Sequence, residues 1–264
     1  MDCIHYQDSG SENSCPVICL HGFLGRGDDF DFADSLTEHL RLIKIDLPGH
    51  GQSQCEEDEL YRMERTALMI VSLIAQLGLH KPHVIGYSMG GRLALYLAVH
   101  YADKFGRFVL ESTSPGLKTE EERAARVEHD ETLAKHLESE PLEKFLDDWF
   151  AQPLFDGTTA DADKQALLKQ KRLENDPTGL ARSLRNMGTG RQPSLWENLP
   201  RIEADLLLIA GAQDYKFLKI NREMAARCPR ASLRVVKGAG HNVHWEYPED
   251  YLALVRDFLI SRQG

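Results

Sequence analysis

The chain has 264 residues, 42% of them hydrophobic, and a formal net charge of −10. That length and apolar content suffice for one large α/β core, with room for an inserted sub-domain. The acidic balance disfavours nucleic acid and anionic lipid as partners, though it leaves room for a local basic pocket. A mean hydropathy of −0.39 with no long apolar run argues against a membrane span.

Residues 1–5 show no basic stretch leading into an apolar one, so no secretory leader is expected. Five cysteines, Cys3, Cys15, Cys19, Cys55 and Cys228, lack the short paired spacings of a zinc site. With an odd count and no secretory signal, they are expected as reduced thiols in a cytoplasm. Short apolar runs at 17–20, 42–45, 83–85, 107–110, 206–209 and 233–236 suit strands covered on both faces, the pattern of a parallel sheet. Between them, residues 59–79 carry Leu60, Met63, Ala67, Ile70, Val71 and Ile74 at helical spacing, and Gly78 is placed to end that helix. Residues 91–100 read as a helix directly after a strand, and 248–260 as a C-terminal helix with Pro248 in its first turn. Strand and helix alternate, which argues a doubly wound α/β sheet.

One stretch breaks the alternation. Between 116 and 199 no strand pattern occurs; Leu133, Leu137, Leu142, Phe145, Leu146 and Trp149 suggest amphipathic helices, punctuated by Pro141 and Pro153. The expected organisation is a core of residues 1–115 and 200–264, with 116–199 inserted as a helical cap over the site.

The chemistry concentrates at the ends of the predicted strands. Gly86-Tyr87-Ser88-Met89-Gly90 follows an apolar strand and opens a helix, the context in which G-x-S-x-G forms a nucleophile elbow. Ser88 is therefore the expected reactive hydroxyl, against the plainer reading of a serine at a helix start. A serine needs a base, and the base an orienting acid. Asp214, just beyond the strand at 206–209, and His241, in Lys237-Gly238-Ala239-Gly240-His241, fit those roles. His244 competes with His241, whereas His5, His39, His80, His100, His129 and His136 are expected to face solvent. Backbone N–H groups of Phe23, after the first strand, and Met89, after the serine, are the expected oxyanion donors. His21 is expected to brace its loop, and Asp46 to bond backbone in the turn-rich loop that follows it.

These motifs together resemble the α/β-hydrolase superfamily over nearly the whole chain. A narrower resemblance is to the 2-succinyl-6-hydroxy-2,4-cyclohexadiene-1-carboxylate synthases of menaquinone biosynthesis. It is carried by Leu20-His21-Gly22-Phe23-Leu24-Gly25, by the elbow continued through Gly91-Arg92, and by Glu111-Ser112-Thr113-Ser114-Pro115-Gly116-Leu117. Asp46-Leu47-Pro48-Gly49-His50-Gly51, Asp148-Trp149-Phe150-Ala151-Gln152-Pro153-Leu154-Phe155, Asp214-Tyr215-Lys216-Phe217 and Gly240-His241-Asn242-Val243-His244 extend it. The resemblance implies a lyase in which the serine takes a ring proton and pyruvate is expelled. It also implies a polycarboxylate small-molecule substrate held by Arg92, Arg126 and Arg172, since planar guanidinium matches carboxylate with two hydrogen bonds. Arg123 competes with Arg126, and Arg172 lies beside Lys171. Tyr87, Trp149 and Phe155 are expected to flank the substrate. No cofactor, metal, nucleic-acid or membrane partner is expected, and the protein is expected as a cytoplasmic monomer or small homo-oligomer. The same Ser-His-Asp set would equally serve a carboxylester or carbon–carbon-bond hydrolase, and a ligand receptor on the same fold is a third reading.

Overall fold

The computed structural model describes residues 3–155 and 162–260. Seven strands form one sheet: β1 (Tyr6–Ser9), β2 (Cys15–Leu20), β3 (Leu40–Ile45), β4 (His83–Tyr87), β5 (Phe108–Glu111), β6 (Leu206–Gly211) and β7 (Ala231–Val236). Their spatial order is β1-β3-β2-β4-β5-β6-β7, with β1 antiparallel to β3 and every other neighbour pair parallel. The apolar runs seen in the sequence thus became the parallel strands β2 to β7. β1 escaped that reading because Tyr6-Gln7-Asp8-Ser9 is polar, and an edge strand is held by backbone pairing rather than by burial on both faces.

The period-two alternation of the strands divides the core in two. Ile18, Ile43, Val84, Leu110 and Leu208 face one side and pack on α1 (Met63–Gln76), α2 (Met89–His100) and α7 (Tyr215–Arg227). Val17, Leu42, Ile85, Val109 and Leu207 face the other. There they meet Phe30 and Ala33 of a 3-10 segment (Gly27–Leu36) and Tyr251, Val255 and Leu259 of α8 (Pro248–Leu259). Gly78 ends α1 at φ +63°, and the Leu79 N–H closes onto the Ile74 carbonyl.

Between β5 and β6 lie, among the described residues, four α-helices: α3 (Glu120–Ser139), α4 (Leu142–Phe150), α5 (Ala162–Arg172) and α6 (Pro177–Met187). Among the described residues no strand occurs in this stretch. The insert has an apolar cluster of its own, built from residues such as Leu137, Phe145, Leu146, Phe155 and Leu184. Thr119 starts α3 with a capping box, bonding the Glu122 N–H while the Glu122 side chain returns to the Thr119 N–H.

Two expectations require correction. Cys3 and Cys55 form a disulfide across 52 residues of sequence, while Cys15, Cys19 and Cys228 are free thiols. The pairing is set by the fold: the segment leading into β1 passes beside the loop before α1, a proximity that cysteine spacing does not encode. His5 is half-buried rather than solvent-facing, its Nδ1 2.9 Å from Asp46 Oδ2; the other five histidines expected at the surface are exposed.

Candidate active site

Ser88 sits between β4 and α2 with φ +49° and ψ −104°, a conformation that L-residues avoid unless their surroundings impose it. Close packing imposes it here. A Cβ on Gly86 would lie 2.5 Å from the Gly90 carbonyl oxygen, and one on Gly90 would lie 2.1 Å from that of Leu20. The Ser88 N–H donates to the Glu111 carbonyl (2.9 Å) and the Gly90 N–H to that of His21 (3.0 Å), which pins the turn to both neighbouring strand ends.

β6 delivers Asp214 and the loop after β7 delivers His241. Asp214 caps α7, its Oδ1 accepting from the Phe217 N–H at 3.1 Å, while its Oδ2 lies 2.6 Å from His241 Nδ1. His241 Nε2 is 3.1 Å from Ser88 Oγ. The three residues therefore form one continuous hydrogen-bonded chain. The carboxylate fixes the ring with hydrogen on Nδ1, leaving Nε2 free to accept the serine proton. The loop around the histidine is braced from below. Glu246 accepts from the Gly240 and Asn242 N–H groups, and Ser112 donates to the His241 carbonyl.

His244 has a different employment: its Nδ1 and backbone N–H both engage Glu111, at 2.7 and 3.1 Å. His21 is buried, bonding the Gly22 carbonyl through Nδ1 and accepting the Leu47 N–H on Nε2. Burial lowers its pKa, so it braces the loop as a neutral ring. Asp46 accepts from the Gly27 and Gln52 N–H groups, in the backbone-bonding role expected of it.

Above Ser88 a cavity of about 460 Å³ is lined by Ser88 and His241, by Phe23 and Met89, and by Tyr87, Trp149 and Phe155. Arg92, Arg126 and Arg172 line the same cavity; among the described residues Arg123 does not, and it pairs with Glu120. Phe23, Trp149 and Phe155 form a wall of tilted rings 5.2 and 5.9 Å apart, and Tyr87 stands 5.5 Å from the His241 ring. Arg92 is buried, and burial followed by the Arg126 charge pushes its pKa down to about 10, still protonated at neutral pH. A protein of net charge −10 thus concentrates three guanidiniums over one hydroxyl.

Residues 16–248 match the α/β-hydrolase fold family. A Bacillus subtilis protein provisionally named 2-succinyl-6-hydroxy-2,4-cyclohexadiene-1-carboxylate synthase is 41% identical over 256 residues, covering 96% of this chain and 93% of that relative. The synthase of Serratia proteamaculans is 32% identical over 246 residues, 93% of each chain. The chain belongs to the α/β-hydrolase fold family, in its synthase branch. The structure of MenH from S. aureus superposes with a TM-score of 0.92, at 32% identity and 98% coverage of both chains. The order serine, acid, histidine along the chain is the order of this fold, and Ser88, Asp214 and His241 follow it.

Several residues at the site take on a role only once the fold is in place. Glu246 and Ser112 act on the histidine loop through backbone atoms. Gln192, Asp130 and Asp29 touch the three arginines. Glu111 and Ser112 fall within the Glu111–Leu117 motif, and Glu111 is a carboxylate closing an otherwise apolar strand run.

Proposed function

We propose that the protein eliminates pyruvate from 2-succinyl-5-enolpyruvyl-6-hydroxy-3-cyclohexene-1-carboxylate, giving 2-succinyl-6-hydroxy-2,4-cyclohexadiene-1-carboxylate. Ser88 Oγ takes the ring proton while its own passes to His241 Nε2, and Asp214 stabilises the imidazolium. The new ring double bond forms as the enolpyruvyl C–O bond breaks, and the departing enolate is protonated to pyruvate. The Phe23 and Met89 N–H groups face the oxygen on which charge develops. Residues 116–199 act as a cap that contributes Arg126, Arg172, Trp149 and Phe155, while Tyr87 and Arg92 approach from the core. The proposed setting is the cytoplasm.

The observation that carries this reading is the convergence of Arg92, Arg126 and Arg172 on the cavity that holds Ser88. Three guanidiniums on one cavity, those of Arg92 and Arg172 buried and that of Arg126 half-buried, suit a substrate with several carboxylates and are superfluous for a simple ester. The synthase relatives support the same choice. The test follows pyruvate release from the enolpyruvyl substrate beside hydrolysis of a p-nitrophenyl ester. Pyruvate formation that disappears in Ser88→Ala is expected; rapid ester turnover with no pyruvate would end the lyase reading.

A further inference from the structure

The three cavity arginines are held in unlike ways. Arg126 Nε bonds Asp130 Oδ1 at 2.7 Å, and Arg172 Nη1 bonds Asp29 Oδ1 at 2.7 Å. Both carboxylates are buried, so each of these guanidiniums has its own counter-charge. Arg92 does not. Its Nη1 donates to two neutral oxygens, the Met187 carbonyl and Gln192 Oε1, each at 3.0 Å.

Gln192 is 1% exposed. Its Nε2 donates to the Ser114 carbonyl at 3.3 Å. That second bond decides which way the amide points. A flipped amide would set its NH2 against a guanidinium nitrogen and its oxygen against a carbonyl, so Oε1 must face Arg92. A buried cation whose hydrogen-bond partners are all neutral is stabilised by any anion that comes into contact with it.

We propose that Gln192 is a specificity-determining residue: by holding Arg92 through a neutral oxygen, it leaves that charge for a substrate carboxylate and makes Arg92 the principal anion anchor of the cavity. The inference rests on the reading of this cavity as a polycarboxylate site. It assigns Arg126 and Arg172 a weaker pull, because Asp130 and Asp29 partly neutralise them.

The test measures binding of trimesate, a rigid benzene tricarboxylate, by titration calorimetry at about pH 8, alongside thermal melting. Gln192→Glu nearly preserves side-chain volume but sets a carboxylate on Arg92, and should weaken trimesate about tenfold or more. Gln192→Met removes both amide bonds yet adds no charge, while Met187 still holds Nη1. It should weaken trimesate less than about threefold, although it melts lower than Gln192→Glu. Asp130→Asn keeps an oxygen on Arg126 and removes a counter-charge, so it should tighten binding, and this variant tests the charge argument even if Gln192→Glu does not fold.

Equal weakening by Glu and Met at position 192, unchanged binding in Gln192→Glu, weaker binding in Asp130→Asn, or no trimesate binding by the unmodified protein would each overturn the inference. Its failure is separable from that of the reaction assigned above. Binding of trimesate that depends on Gln192 without pyruvate release would sink only the reaction. Pyruvate release with binding indifferent to Gln192→Glu would sink only this inference.

Discussion

Two buried histidine–carboxylate pairs have their histidines three residues apart in the chain, and their surroundings differ. His241 meets Asp214 at 2.6 Å and His244 meets Glu111 at 2.7 Å, each through Nδ1. By that bond alone the two are indistinguishable. The difference is on the other side of each ring. His241 turns Nε2 to Ser88 Oγ and borders the cavity. His244 is stacked on Phe30 and Phe32, at 5.8 and 5.2 Å, and meets Tyr87 and Tyr251 edge-on. A carboxylate partner orients an imidazole; what the remaining edge faces determines whether it moves protons. Burial of Tyr87 and the nearby Glu111 raise its phenol pKa well above the ordinary value, so the ring beside both histidines stays neutral.

The sharpest way to separate the pairs is to cut each one. Ser88→Ala or His241→Ala should lower kcat by about 10³-fold or more, and the double variant should be little worse than either, because the residues act as a unit. Glu111→Gln should instead lower unfolding free energy by about 1–3 kcal/mol, with kcat per folded molecule within about threefold of the parent. Urea melts beside steady-state rates give both numbers. A Glu111→Gln protein that is stable but inactive would erase the distinction.

The smallest effect is expected from a third class of histidine, those with no carboxylate at hydrogen-bonding distance. Burial lowers the pKa of His21 and of His50, and burial with the Arg107 charge lowers that of His83 to about 4. The unfolded chain takes up protons at these sites below about pH 6.5, whereas the folded chain does not. Stability is therefore complete above that pH and declines as the pH falls, for His83 down to about 4. Urea midpoints should fall between about pH 7 and about pH 5. A midpoint that rises on acidification would contradict the neutral state assigned to these rings.

The parallel sheet was legible because β2 to β6 are buried on both faces and must be written in apolar residues. The elbow was legible because its crowding admits only glycine at 86 and 90. β1, the Cys3–Cys55 bond and the His5–Asp46 contact were not, since each depends on where distant segments meet. The same holds around the arginines. Arg92 stands at a fixed offset from Ser88 along one helix, and resemblance to a family named Arg126 and Arg172. Gln192, Asp130 and Asp29 belong to no pattern; they are recognisable only once the guanidiniums they touch have positions. Between Arg123 and Arg126 the sequence could not choose, because helical phase relative to the cavity is a tertiary property.

The insert's apolar cluster includes one buried side chain from outside residues 116–199, Leu24. Around it, Asn175 donates to the Leu24 carbonyl and accepts the Gly51 N–H, Arg172 grips Asp29, and Arg182 grips Asp58. Tilting the insert away would bare Leu24, at about 1.5–3 kcal/mol, and break these bonds in the same motion. The roof over Ser88 is therefore bolted on this side. Lys118 and Lys216, both exposed, stand where the cavity meets solvent.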